Sequence, residues 1–329
     1  MKLPRRRFLH LAAGAAALPT VSRIAMAQTY PSRPITMVVP FVPGGATDVI
    51  ARTMAERMRV SLGQPVIVEN VSGAGGTIGV GRVAHAAPDG YTLSIGHWST
   101  HVVNGAIYPL QYDLLDSFEP ILLITSNLYL VLARRTMPAT NLKELIAWLK
   151  ANPDKASAGT AGAGSPQHVG GVFFQNATGT RFQFVPYRGG APMMQDLVAG
   201  QIDITIDDPT NSLPHLRAGA IKAYAVTAKT RLAALPDIPT VDEARLPGFY
   251  YSRWHALWAP KGTPKDVIAK LNAAAVDALA NANVRTRLAD LAQEIFPREQ
   301  QTPDALGAYH KAEIEKWWPM IKAANIKAE

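Results

Sequence analysis

At 329 residues the chain is long enough for two domains of ordinary size, and 48% hydrophobic against 18% charged residues describes a globular chain rather than a disordered one. The absence of cysteine excludes disulfides, thiolate metal sites and a cysteine nucleophile. The formal charge of +8 belongs largely to residues 1–27, which hold Lys2, Arg5, Arg6, Arg7 and Arg23 and no acid; without those five the count is 28 basic against 25 acidic, so a nucleic-acid partner is not expected.

The leader, "MKLPRRRFLHLAAGAAALPTVSRIAMAQ", has a basic start, an apolar stretch from Phe8 to Leu18, and Ala25-Met26-Ala27 as a small-x-small cleavage site. The stretch is shorter than the roughly 20 residues that span a bilayer. Arg5-Arg6-Arg7-Phe8-Leu9 fits the twin-arginine export pattern, the alternative being an ordinary Sec signal with a surplus arginine. Residues 1–27 are therefore read as a signal peptide, and the mature chain is expected in the periplasm.

"ITMVVPF" and "PVIVEN" are strand-length β-branched runs, each followed by glycines. After the first, Val49, Ile50, Thr53, Met54 and Met58 recur at helical spacing. "YTLSIG" predicts a third strand, and "PILLITSNLYLVLA" a fourth and a fifth. "NLKELIAWLKANP" predicts an amphipathic helix with Leu142, Leu145, Ile146 and Leu149 on one face. "SAGTAGAGSPQH" leads into another helix. "FQFVPY", "IDITIDD" and "AIKAYAVTA" read as strands, and "PMMQDLVAG" as a helix. The last eighty residues read as mainly helical, with a capping box at Thr263-Pro264-Lys265-Asp266 and a helix opening at Thr302-Pro303-Asp304. Alternating elements of this kind predict an α/β fold with largely parallel sheet and a ligand beyond the carboxyl ends of the strands.

"VPGGATD" and "SGAGGTIG" each stand where a strand hands over to a helix. The first N–H groups of a helix have no partner within it, and the helix dipole favours an anion there. Glycine lets a ligand approach the backbone and permits positive φ. The two turns therefore read as anion-holding loops on adjacent strands. No lysine follows either glycine group, which excludes a phosphate loop. Gly73 and Gly75 begin a dinucleotide fingerprint, but Ile78 occupies its last position. Neither G-x-S-x-G nor H-E-x-x-H occurs, no catalytic residues are expected, and the histidines are not spaced as metal ligands. His97 and His101 read as lying in an irregular loop. A carboxylate held by backbone donors, with no metal and no cofactor, fits best.

"YPSRPITMVVPFVPGGATDVIARTMAERM", "VIVENVSGAGGTIG", "APDGYTLSIG", "STHVVN", "AGAGSPQHVGGVFF", "FVPYRGGAPMMQDLVAGQIDI", "LPHLRAGAIKAYAV" and "HALWAPKGTPKDVIAKLN" together resemble the receptors of tripartite tricarboxylate transporters, often called the Bug family, over nearly the whole mature chain. The resemblance implies a two-domain periplasmic binding protein of type II-like architecture with its ligand cleft between the domains. It implies a small carboxylate ligand, delivery to membrane components of such a transporter, and a monomer. By analogy one domain comprises residues 28–127 plus 251–329, and the other 128–250. The matching loops imply ligand contacts at Val42, Pro43, Gly44, Gly45, Ala46 and Thr47, and at Gly73, Ala74, Gly75, Gly76 and Thr77. They also imply contacts at Ser99 and Thr100 and, from the second domain, at Ala163, Gly164, Ser165, His168, Tyr187, Arg188, Gly189 and Asp207.

Other roles compete at several of these positions. Asp48 reads as a helix cap, His168 as either a cap or a ligand contact, and Arg188 as pairing with a ligand carboxylate or with surface acids. Trp254, Trp258, Trp317 and Trp318 read as core or hinge packing. Trp98 offers a flat face to a ligand or packs on a neighbouring loop. A periplasmic enzyme and a sensor for a membrane signalling protein are the alternatives to a transport receptor. Aromatic carboxylates, aliphatic di- or tricarboxylates and amino acids all remain open as ligands.

Overall fold

The computed structural model describes residues 30–327, so the leader and its Arg5-Arg6-Arg7 motif lie outside the described residues. The apolar run after Pro34 forms β1 (Ile35–Val39), and Gly45 opens α1 (Ala46–Leu62). Ile50, Ala51, Met54 and Met58 of α1 are buried on one face, as their spacing predicts. Gly63 ends the helix in the left-handed region, its N–H donating to the Arg59 carbonyl. β2 (Val66–Asn70), α2 (Thr77–Ala84) and β3 (Thr92–His97) repeat the strand–helix alternation, and β1 pairs in parallel with both β2 and β3. A π-helical turn at Ser99–Val103 and α3 (Asn104–Ile107) follow β3, so His101 lies in a helical turn rather than an irregular loop.

β4 (Phe118–Leu128) completes this part of the sheet, and after Tyr129 the chain continues as β5 (Leu130–Arg134) in a second sheet. That sheet takes in β6 (Ser157–Thr160), β7 (Gln183–Pro186), β8 (Ile204–Asp207) and β9 (Ile221–Val226), in the order β7-β6-β8-β5-β9. Helices α4 (Leu142–Ala151), α5 (Pro166–Thr178), α6 (Gly190–Ala199) and α7 (Pro209–Arg217) connect its strands. The chain returns through β10 (Ser252–Pro260), then α8 (Lys265–Ala280), α9 (Ala282–Asp290), β11 (Glu294–Ile295) and α10 (Pro303–Ala323). The first sheet has the order β11-β4-β10-β3-β1-β2.

Two expectations need correction. The sheets are mixed rather than largely parallel: β10 is antiparallel to β3 and β4, and β5 to β8 and β9. β5 and β10 are the strands that carry the chain between sheets without a crossover helix, and they run against the strands laid down by strand–helix–strand units. β10 itself was not legible in a segment read as mainly helical. Second, α8 carries no capping box. Pro264 stands at its N-cap with no side-chain cap, and the Thr263 hydroxyl donates to the Pro260 carbonyl at 2.7 Å. The Thr302 cap on α10 forms as expected, accepting the Ala305 N–H at 3.2 Å.

One apolar core packs α1, α8 and α9 against the first sheet through residues such as Met54, Leu257 and Leu271. The core on the opposite face runs without a break into the second sheet through Trp98, Tyr129, Tyr251 and Trp254. Trp254, Trp258 and Trp317 are buried, and the indole N–H groups of Trp254 and Trp317 both donate to Glu313 Oε2, at 3.0 and 3.1 Å. Removing each large side chain from water contributes about 1.5–3 kcal/mol. The joint between the sheets is thus an aromatic seam. Among the described residues no helix is long and apolar enough to cross a membrane.

Candidate functional site

β1, β2 and β3 are adjacent in the sheet and point the same way, so the turns that follow them meet at one end. An added Cβ on Gly76 would lie 2.8 Å from Thr100 Cγ2 and 3.2 Å from Pro40 Cβ. Residues from all three turns therefore converge on one glycine. Gly79, in the first turns of α2, allows the same approach: its Cβ would lie 2.5 Å from the Val71 carbonyl oxygen. Ala74, Gly75 and Gly76 have φ of 45°, 63° and 93°, a left-handed run that two glycines make accessible. Asn104 of α3 pins the turn, donating from Nδ2 to the Gly75 carbonyl at 2.9 Å.

Several of the expected backbone donors are already engaged. Asp48, three residues into α1, reaches back to accept the Gly44 N–H at 2.9 Å. It also accepts from Arg52 Nε at 3.0 Å and from Asn70 Nδ2 at 2.9 Å, and those donors hold its carboxyl below its ordinary value against the opposing effect of burial. Asp48 thus stabilises the turn from inside the helix rather than occupying the N-cap, which is Gly45. The Gly76 N–H is taken by the Gly73 carbonyl at 2.9 Å, and the Thr77 N–H by the Ala74 carbonyl. The groups left at the helix start by its geometry are those of Gly45, Ala46, Thr47 and Asp48. Val42 and Pro43 at the tip are exposed. The Thr47 hydroxyl lies 3.2 Å from His255 Nε2. The Thr100 hydroxyl is engaged within its own turn, donating to the His97 carbonyl at 2.9 Å, and Ser99 N–H donates to His97 Nδ1 at 3.0 Å.

The second sheet contributes the turn after β6. Gly162 and Gly164 have φ of 101° and 70°, and a Cβ on Gly164 would meet Ile107 Cδ1 of the first sheet's α3 at 2.7 Å. Gly164 thus lies against α3 of the first sheet's side. Ser165 caps α5, accepting the His168 N–H at 3.3 Å, and the His168 ring accepts the Gly164 N–H at 3.2 Å while packing edge-on to Phe184. Tyr187 is anchored sideways, its hydroxyl donating to Asp196 at 2.7 Å. Arg188 is exposed on the same turn, and Gly189 precedes α6 with φ of 133°. Asp207, at the end of β8, is fully buried; Gln167 Nε2 donates to it at 2.8 Å and Asn211 Nδ2 at 3.2 Å. Burial, and then the neighbouring Asp208, push its pKa up to about 7. Trp98 turns its face inward, packed edge-on against Tyr251 and Trp317 at 5.5 and 5.3 Å, and offers nothing to a flat ligand.

The two sheets meet in a polar cluster whose Arg253, Asn127 and His255 the sequence reading missed. Arg253 of β10 sits opposite Asn127 of β4, and its guanidinium stands 3.6 Å from Asp208, which opens α7 of the second sheet. His97 and His255 pack edge-on beside it, both held well below the usual histidine range by burial and then by the Arg253 charge. The available signal was an arginine and a histidine inside an apolar strand run, "SRWHALWAP".

Residues 50–326 match the model of the tripartite tricarboxylate transporter family receptor. The chain is 41% identical over 320 residues to the "UPF0065 protein in the TAR-I ttuE-ttuC' intergenic region" of Agrobacterium vitis, covering 97% of this chain and 92% of that protein. It superposes on MatC (Rpa3494) from Rhodopseudomonas palustris, solved with bound malate, with a TM-score of 0.75 at 41% identity, covering 89% of this chain and all of that one. The periplasmic binding protein BugD is matched with a TM-score of 0.75 at 41% identity, over 91% of this chain and all of BugD.

Proposed function

The chain belongs to the tripartite tricarboxylate transporter receptor family, and from that premise we propose that it captures a small carboxylate in the cleft between its two sheets and presents it to the membrane components of such a transporter. The observation that carries the reading is the meeting of the three turns after β1, β2 and β3 at Gly76, opposite the turn around Gly164. Four loops from two sheets enclose one place, and helix starts there offer N–H groups to an anion. The family is one of solute-binding receptors, and binding without turnover is the proposed activity.

The division into domains follows the strands: residues 28–127 plus 251–329 hold the first sheet and 128–250 the second. In this reading Tyr129 and the segment before β10 are the hinge, with Val42 to Thr47, Gly73 to Thr77, Ser99 and Thr100 on one lobe. Ala163 to Ser165, His168, Tyr187 to Gly189 and Asp207 come from the other. The protein acts as a monomer, without nucleic acid. A thermal-shift screen of carboxylates tests the reading, since a ligand at 100 times its dissociation constant stabilises by about 2.7 kcal/mol. Closure of the lobes is expected to reduce the radius of gyration in solution scattering when that ligand is added. An unchanged radius at saturation contradicts a two-lobe clamp.

Export through the twin-arginine route is proposed from Arg5-Arg6-Arg7-Phe8-Leu9. Changing Arg5 and Arg6 to Lys is expected to leave precursor in the cytoplasm. Mature protein in the periplasm of a strain lacking the twin-arginine translocase assigns export to the Sec route.

A further inference from the structure

Toward the end of α1 remote from the cleft turns, α1 and the start of α9 border a cavity of about 330 Å³. Arg57, Arg59 and Arg287 line it, together with Asn281 and the apolar Val60 and Val284. The arginines of α1 follow Ala46 by more than ten positions, which at about 1.5 Å per residue sets them roughly 15–20 Å along the helix from the turn at Gly45. The cavity is therefore separate from the site between the sheets.

The charges around it do not balance. Arg57 Nη2 contacts Asp277 at 2.8 Å, and the Ser61 hydroxyl donates to the same carboxylate at 2.5 Å, so the guanidinium is held in place. Its Nε is nevertheless buried without an acceptor, and buried donors are normally paired. Arg287 Nη1 stands 3.5 Å from Glu56, whose side chain is 68% exposed. Among the described residues Arg59 has no acid in ion-pair range. Three guanidinium groups thus share the cavity with one carboxylate, that of Glu56. Elsewhere on the same lobe arginines are answered: Arg52 donates to Asp48 at 3.0 Å, and Arg82 to both oxygens of Glu69. A cation in the last turn of α1 suits the helix dipole, which accounts for Arg59 but not for the unanswered Nε of Arg57 or for Arg287.

We propose that this cavity is a second binding site, for a doubly charged oxyanion of the phosphate type. A guanidinium presents a planar, fixed set of N–H donors that suits phosphate oxygens, and it is more weakly hydrated than an ammonium. Arg57 supplies the buried donor, and Arg59 and Arg287 bring two more guanidinium groups from α1 and α9. Asn281 caps α9 through Oδ1, accepting from the Asn283 and Val284 N–H groups, and its Nδ2 donates to no protein group among the described residues. Three cations against one acid leave a surplus of two positive charges, which a monoanion does not neutralise. Free phosphate and the phosphate of a lipid headgroup at the membrane surface offer the same chemistry to these residues.

Calorimetric titration of the mature protein with inorganic phosphate at low ionic strength tests the assignment. One phosphate per chain is expected, displaced by sulfate and not by an excess of chloride. Arg59→Gln removes an exposed side chain without an ion-pair partner, so the fold is kept, and it should weaken phosphate about 10- to 100-fold. Arg57→Gln should act in the same direction. Arg285→Gln, which removes an exposed arginine of α9 outside the cavity, should leave phosphate affinity unchanged, and so should Gly45→Val in the cleft turn. Sedimentation with vesicles of phosphatidylglycerol, against phosphatidylcholine alone, separates the sources. Vesicle binding that phosphate displaces and Arg59→Gln abolishes assigns the headgroup, whereas phosphate binding with no Arg59-dependent vesicle binding assigns the free oxyanion. Absence of saturable phosphate binding, an equal loss in Arg285→Gln, or a loss in Gly45→Val overturns the inference. Carboxylate binding between the sheets does not depend on these arginines, so the receptor reading stands or falls separately.

Discussion

Gly45→Val is expected to weaken ligand binding about 10- to 100-fold while the protein stays folded. A hydrogen bond to a charged group contributes about 1.5–3 kcal/mol, which converts to that factor for each donor displaced. Gly45 has φ of −77°, and an added Cβ would have only the Val42 carbonyl within 4 Å, at 3.9 Å. A valine is therefore accommodated by the backbone and shields the first N–H groups of α1 from an anion. Gly76→Val differs in kind. Its φ of 93° disfavours any side chain, and the Cβ would press on Thr100 Cγ2 at 2.8 Å and the Pro40 carbonyl at 3.3 Å. That variant should lose affinity and also about 1–3 kcal/mol of stability from backbone strain. Arg188→Ala, which removes an exposed side chain, should lose less affinity than either. Titration of the three variants with the best-binding carboxylate of the screen checks this. If Arg188→Ala abolishes binding and Gly45→Val keeps it, the anion is held by side-chain charge and not by backbone.

Acidification should destabilise the fold steeply, beginning well above the range where carboxylates titrate. His97, His101, His255 and His310 are all buried, and burial is the largest cause holding each below its ordinary value, His310 at about 4. Above pH 6.5 these rings are neutral in both folded and unfolded chains, so their burial has no pH-dependent cost. As pH falls through 6.5 the unfolded chain binds protons that the folded chain refuses. Stability then drops by about 1.4 kcal/mol per pH unit for each group. His310 alone accounts for about 3 kcal/mol between its unfolded value and 4. Asp207 works the other way, because a carboxyl at about 7 in the folded chain and near 3.8 unfolded favours folding as pH falls between those values. Glu313 and Glu294, raised by burial, oppose the histidines in the lower part of the range, whereas the stability from Asp48 is lost only in stronger acid. The four buried histidines outweigh Asp207 across this range, so a net loss of stability is expected from pH 7 to pH 5. Urea unfolding at the two values measures it. A midpoint that holds steady or rises on going to pH 5 contradicts the neutral buried rings.

Local chemistry was legible along the chain. Gly44-Gly45 and Gly75-Gly76 announce turns because positive φ and close approach are properties of single residues, and the Thr302 cap forms because its partner is three residues away. The alternation of β-branched runs with helical spacing placed most elements, and the ordered motifs identified the receptor family and its two α/β lobes. The same local reading failed wherever a partner is distant. β10 is buried on both faces, so "WHALWAP" shows no period of two, and only pairing with β3 and β4 makes it a central strand. Asp48, read as a helix cap, instead folds back to accept the Gly44 N–H, a contact the acid's place in the first turn did not reveal. Trp98 faces the aromatic seam because Tyr251 and Trp317, more than 150 positions away, arrive beside it. Arg253 meets Asn127 and Asp208 by strand register and by the approach of two sheets. The glycine turns, the Thr302 cap and the family are readable along the chain, because they depend on neighbours a few residues apart. How Arg253 comes to lie with Asn127 and Asp208 is set by register and by burial, which no local pattern records.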